Sequence, residues 1–229
     1  MDSAPVIQEA VKVLRDGGVI LYPTDTVWGI GCDATNEKAV ARVFEIKRRS
    51  EAKSLVLLAC DLDMVAKYIK VIPSIAIDLV EVNDTPMTII YPGAQYRAPN
   101  AVAADGSVGI RIPVSSEDAA DSPSSFAGSG SSSFAGSTGE SPTGKPAPRR
   151  DLTAGAFCRE LVRRLRRPLV STSANISGEP TPATFAEISE EIKAAVDYVV
   201  PKPFGRDATG RSSQIIKLGL GGEVEILRP

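Results

Sequence analysis

Apolar side chains recur along this chain in two rhythms. Val6, Ile7, Ala10, Val11 and Leu14 fall three or four residues apart and so share one face of a helix, which Ser3 can cap and Gly17 with Gly18 can end. The same spacing at Ala39, Val40, Val43, Phe44 and Ile46 predicts a second helix, begun by Asn36. Phe157, Leu161, Val162 and Leu165 predict another over FCRELVRRLRR, with the arginines on its opposite face. Shorter helices are expected in DLDMVAKYI, in IPSIAIDLV opened by Pro73, and over residues 185–196, FAEISEEIKAAV.

Between the helices stand apolar runs of strand length: VILY at 19–22, SLVLLA at 54–59, MTIIYP at 87–92, SVGIRIP at 107–113 and PLVS at 168–171. YVVP, SQIIKL and EVEIL add strands toward the C-terminus. Helices and strands alternate with mixed spacing and without internal repeats, which predicts an α/β fold around a twisted, mixed sheet. A single domain over residues 1–229 is compatible with the length.

The rhythm fails from residue 115 to about 154. SSEDAADSPSSFAGSGSSSFAGSTGESPTGKPAPRRDLTA is dominated by Ser, Gly, Ala and Pro and repeats SSFAGS, so it lacks the apolar surface to offset its ordering entropy. A flexible surface insertion is expected there. Within it, GESPTGK at 139–145 fits the first part of a phosphate-binding loop, but Pro146 follows where Ser or Thr is required. No strand precedes it and no helix follows, so the match is read as coincidence.

Composition narrows the chemistry more than the fold. Net charge is −2, so no global field recruits nucleic acid, and any such contact needs a local patch. Lys47, Arg48 and Arg49 form one patch; Arg159, Arg163, Arg164, Arg166 and Arg167 form another, whose plain reading is a solvated helix face and whose functional reading is contact with RNA phosphates. Cys32, Cys60 and Cys158 are too few and too far apart for a disulfide framework or a paired-cysteine zinc site. MDSAPVIQEAVKVL is no signal peptide and no run reaches membrane-spanning length, so a cytoplasmic protein with no membrane contact is expected. The chain contains no histidine, which removes Ser-His and Cys-His nucleophile pairs and all histidine metal sites. Chemistry must rest on lysine, arginine, hydroxyls, amides, carboxylates or a bound metal.

Four stretches could carry it. PTDTVWGIG, residues 23–31, follows a strand and joins hydroxyls and a carboxylate to glycines that suit a turn and close approach of backbone to a ligand. KRRSEAKSL sets cations at a helix end, where either the macrodipole or a bound phosphate would favour them. Arg111 interrupts the apolar strand GIRIP, a costly position unless the charge is paired, faces a polar cavity or lies at an edge. STSANISG places hydroxyls and an amide at a strand end, where α/β folds present ligand sites, although the same residues serve as turn and cap formers.

Taken in order, PTDTVWGIG, KRR followed by KSL, SVGIRIP, STSANISG and GRSSQII resemble the YrdC/Sua5 family of threonylcarbamoyl-AMP synthases, in its short single-domain form, over about residues 5–113 and 155–217. The resemblance implies a YrdC-like twisted mixed sheet with flanking helices and a basic concave cavity. It implies formation of threonylcarbamoyl-AMP and pyrophosphate from L-threonine, bicarbonate and ATP, with Mg2+ carried on the ATP. Downstream threonylcarbamoyl-transferase proteins would then modify adenosine 37 of ANN-decoding tRNAs; direct contact of tRNA with this chain is left open. By motif matching, Lys47, Arg49, Ser173 and Asn175 would form the catalytic set, and these four with Lys53, Ser107 and Thr181 would hold ATP. Thr24, Thr26, Arg111, Ser171 and Ser213 would hold threonine, Arg111 by its carboxylate. No metal ligand is assigned to the protein.

The chain departs from the family pattern at Trp28, where relatives carry Tyr or Phe; at Leu58, where some carry a polar group; and at Gln214 in GRSSQIIKL. The alternative function is a non-catalytic RNA- or nucleotide-binding module of the same fold. The hydroxyls grouped on the threonine side favour the synthase, since phosphate binding does not require them.

Overall fold

The computed structural model describes residues 2–50, 55–114, 152–201, 204 and 207–229. Its strands are β1 Ile20–Tyr22, β2 Gly29–Gly31, β3 Val56–Leu58, β4 Met87–Tyr91, β5 Val108–Arg111, β6 Leu169–Ser173, β7 Tyr198–Val199, β8 Gln214–Leu218 and β9 Val224–Arg228. They form one mixed sheet in the order β7-β1-β2-β6-β3-β5-β4-β8-β9. The helices are α1 Ser3–Arg15, α2 Glu37–Ile46, α3 Leu62–Tyr68, α4 Ser74–Val82, α5 Ala154–Leu165 and α6 Glu190–Ala195. None among the described residues is long and apolar enough to cross a membrane. Cys32, Cys60 and Cys158 are free thiols buried in the core.

Local chemistry explains where the helices start. Asp2, rather than Ser3, caps α1, because its carboxylate accepts from Ala4 N at 3.1 Å and Ser3 is already helical. Asn36 caps α2 as expected, accepting from Ala39 N at 3.2 Å. Helix α5 begins three residues before FCRELVRRLRR, since Thr153 Oγ1 accepts from Ala156 N at 3.2 Å and Ala154 is fully buried. The end of the expected insertion therefore belongs to a helix cap, while residues 115–151, including GESPTGK, lie outside the described residues. Residues 185–196 do not form one helix: a 3-10 turn at Phe185–Glu187 ends at Ile188, which is extended and buried, and Ser189 caps α6. Burying Ile188 and recapping at Ser189 outweighs continuing the helix.

The stretch read as a turn at residues 23–31 closes on a strand. Gly29–Gly31 pairs antiparallel with β1, Ile20 opposite Gly31, and on its other side with β6, Gly29 opposite Ser173. The second pairing also draws Thr172 and Ser173 into β6, beyond the expected PLVS. Gly31 serves packing here: a Cβ would stand 2.4 Å from Val170 O and 2.7 Å from the Tyr22 ring. β5 lies between β3 and β4, so Arg111 is not on an edge strand.

Pleating divides the sheet into two faces. Ile89 and Ile110, directly paired across β4 and β5, point to the face covered by α3 and α4; Thr88, Ile90, Gly109 and Arg111 point to the other. The core packs Leu14 of α1 with Phe157, Leu161 and Val162 of α5, all essentially fully buried. Arg163 and Arg164 on the outer side of α5 are ion-paired to Glu160, the ordinary behaviour of a solvated helix face, whereas Arg167, past the helix end, reaches the buried Asp33 at 2.7 Å.

Gly31→Ala forces its new methyl against backbone that cannot yield independently, so it should destabilise the fold by about 1–3 kcal/mol. Urea unfolding followed by far-UV circular dichroism checks this; an unchanged midpoint would contradict the packing.

Candidate active site

Period-two alternation builds a cavity of about 290 Å³ on the sheet face away from α3 and α4. Its floor takes Ser171 and Ser173 from β6, Val56 from β3, Gly109 and Arg111 from β5, and Thr88 from β4. Thr24 and Thr26 close one side, Ser212 and Ser213 another, and Arg49 and Arg228 approach from the rim. Three guanidinium groups thus face a hydroxyl-rich space whose lining, among the described residues, includes no carboxylate. A second cavity of about 420 Å³ lies on the opposite face. It is larger and lined by Val65, Ile89, Ile110 and Ile112 together with Asp61, Glu81, Asp84 and Arg159, whereas the hydroxyls and guanidinium groups that suit an anionic ligand converge in the smaller one.

Arg111 is buried although it lines the cavity, 5% exposed. Its Nη1 donates to Thr26 Oγ1 at 2.9 Å and its Nη2 lies 3.4 Å from Asp25 Oδ1. Thr24 Oγ1 donates to Val27 O at 2.7 Å and accepts from Thr26 N at 3.1 Å and Val27 N at 3.2 Å, and Thr26 Oγ1 stands in hydrogen-bond contact with it at 2.8 Å. A hydrogen-bonded chain therefore runs from Arg111 through Thr26 and Thr24 to a backbone carbonyl. On the other side, Thr88 Oγ1 and Ser213 Oγ share a proton at 2.8 Å.

The three consecutive cations diverge. Arg48 adopts the left-handed conformation, φ 49°, and turns outward to Glu191 at 2.5 Å, whereas Arg49 enters the cavity rim. Lys47 turns inward, where its Nζ donates to Ser173 O at 2.5 Å and Asn175 O at 2.7 Å. A 2% exposed ammonium thus ties the end of α2 to the strand-and-loop segment that carries Ser173. Burial, with a lesser contribution from Arg49, pushes Lys47 down from 10.5 to about 8. Burial also lowers the Arg49 guanidinium.

Of the residues singled out in the sequence, Thr24, Thr26, Arg49, Arg111, Ser171, Ser173 and Ser213 line this cavity together. Lys47 lies behind it. Asn175 turns its amide into its own loop, donating to Ile176 O at 3.1 Å and Glu179 O at 2.7 Å. Ser107 stands apart, bonded to Asp105 at 2.6 Å, and Thr181 is exposed. Lys53 lies outside the described residues. Trp28 packs edge-on against Phe185, ring centroids 4.8 Å apart, and Leu58 is buried beside Arg111 in the β3–β5 register. Thr88, Ser212 and Arg228 line the cavity and were not singled out. Thr88 carried the same signal as Arg111, a polar residue within an apolar strand. Arg228 carried none, since a bulge between Ile215 and Ile216 sets its register and lets its Nε reach Ser213 O at 2.7 Å.

Comparison with known proteins matches the Sua5/YciO/YrdC family model, described as telomere recombination, to residues 12–117 and 152–229, leaving 118–151 unmatched. A threonylcarbamoyl-AMP synthase of Xanthomonas euvesicatoria is 30% identical over 222 residues, 92% of this chain and 96% of its own. Another, of Pseudoalteromonas translucida, is 27% identical over 98% of both chains. Among solved structures, P. abyssi Sua5 complexed with L-threonine aligns with a TM-score of 0.69 at 22% identity over 95% of this chain, and E. coli YciO with 0.65 at 20% over 99% of this chain and 89% of its own. At those identities the likeness is one of fold. The chain spans about half, 52%, of that Sua5 structure.

Lys47 gives the site a pH signature. The folded chain holds this proton less tightly than the unfolded chain, so stability rises as pH climbs from about 8 to 10.5 and falls back as pH drops through about 8. The full swing is about 3 kcal/mol, at about 1.4 kcal/mol per tenfold change in proton affinity. A neutral amine still donates two hydrogen bonds, so both carbonyls stay satisfied. Urea unfolding across that range should show the rise in the parent and lose it in Lys47→Met; identical slopes would contradict the buried placement.

Proposed function

The chain belongs to the Sua5/YciO/YrdC family, and from that premise we propose that it is an L-threonylcarbamoyladenylate synthase, a nucleotidyltransferase acting on ATP in tRNA modification. The observation that carries the reading is the pairing of two receptors in one cavity: a buried guanidinium ringed by hydroxyls at Arg111, with Arg228 beside Ser213, and the rim guanidinium of Arg49. The first suits an amino-acid carboxylate, the second phosphates. Full-length relatives bearing the synthase name support it.

On this proposal, threonine's carboxylate lies against Arg111, with Thr24, Thr26, Ser171 and Ser213 around its polar groups. The amine condenses with bicarbonate to a carbamate and water; a carbamate oxygen attacks the α-phosphorus of ATP and the bond to pyrophosphate breaks. That step requires alignment and charge stabilisation rather than a protein nucleophile, which accords with a chain lacking histidine. Arg49 and Ser173 hold the phosphates, and Lys47 maintains the Ser173–Asn175 backbone beside them.

No group of three or more metal-binding side chains occurs among the described residues, and the donors at the cavity fit magnesium carried on ATP by its phosphates and water. The product passes to threonylcarbamoyl-transferase partners in a cytoplasmic setting.

Arg49→Ala should lower pyrophosphate release at least a hundredfold while leaving the far-UV circular dichroism unchanged. Release should require both threonine and bicarbonate in the parent. Equal turnover in the variant would defeat the phosphate role, and release independent of threonine would favour a different reaction.

A further inference from the structure

We propose that Asp25 is the positioning residue for the Arg111 guanidinium and thereby sets affinity for the substrate's carboxylate without touching it; the inference rests on the threonine-binding role proposed for Arg111. Asp25 is 4% exposed and does not line the cavity. Its Oδ1 stands 3.4 Å from Arg111 Nη2 and makes no hydrogen bond among the described residues, while Oδ2 accepts from Val114 N at 3.1 Å. The adjacent Thr26 holds Nη1. Two consecutive residues therefore fix the two ends of one planar fork, and its orientation follows from theirs.

The surroundings leave that charge to Arg111. The other titratable groups there among the described residues, Tyr22 and Cys158, are fully buried and pushed up mainly by burial, so both are neutral. The backbone around Asp25 also spans the site. Asp25 O accepts from Thr209 N at 2.9 Å and Thr26 O from Gly210 N at 2.8 Å, which ties down the loop leading to Ser212 and Ser213.

Asp25→Asn keeps the shape and removes the charge. An amide has one oxygen for two donors, Val114 N–H and Arg111 Nη2, and the shorter contact to Val114 retains it. The new NH2 group then faces Arg111 Nη2, donor against donor, and pushes the guanidinium toward the space the carboxylate would occupy. Threonine binding suffers; ATP binding, which depends on the rim, does not.

Pyrophosphate release by the full chain tests this. D25N should raise KM for threonine at least tenfold and leave KM for ATP within twofold. In an Arg111→Met background, D25N should change kcat/KM for threonine by less than twofold, because Asp25 acts through Arg111. An unchanged threonine KM, an equal rise in both KM values, or effects that multiply in the double variant would each overturn the proposal. Should D25N melt too early to assay, the melts decide: the double variant, with no unpaired buried cation, should melt above D25N, and a lower melting temperature would overturn it. Parent turnover independent of threonine would overturn the functional reading, and this inference with it.

Discussion

A guanidinium buried in the middle of a sheet is the constraint around which the site is arranged. Arg111 sits on β5 between β3 and β4, where an unpaired cation would cost several kcal/mol. The PTDT segment answers it with a carboxylate and a hydroxyl from adjacent residues. That segment in turn anchors the loop before Ser212 through two backbone carbonyls. Satisfying one charge thus brings together three stretches widely separated in sequence.

A second buried cation performs a different task. Lys47 spends its donors on two carbonyls of the strand-and-loop segment, so a residue at the end of α2 shapes the cavity wall from behind. Such an ammonium is held at a cost in stability, with its proton loosened toward neutrality. The left-handed turn at Arg48 is what separates this inward lysine from the rim guanidinium of Arg49. Charge, in this molecule, is used twice: as internal scaffolding and as the face presented to a ligand.

Much of this was legible in the residues. Alternation in GIRIP and MTIIY shows which side chains share a face, and one arginine in an apolar strand already demands a partner or a polar space. STSANISG stands after its strand, as expected, although pairing with β2 carries the strand to Ser173. Other features depend on tertiary facts that local pattern does not hold. The glycines of WGIG read as turn formers because nothing in the sequence shows Val170 O and Tyr22 pressing on Gly31. KRR reads as one patch because its divergence rests on a single positive φ. Arg228 is hidden by a bulge, and Asp25 by its proximity to more conspicuous threonines.

On the proposed function, one sheet face receives an amino-acid carboxylate at Arg111 and phosphates at Arg49. A crystal structure with L-threonine and a non-hydrolysable ATP analogue tests it most directly. The threonine carboxylate is expected against Arg111 and the phosphates beside Arg49. Threonine or nucleotide seated instead in the apolar cavity under α3 and α4, or a carboxylate remote from Arg111, would contradict it.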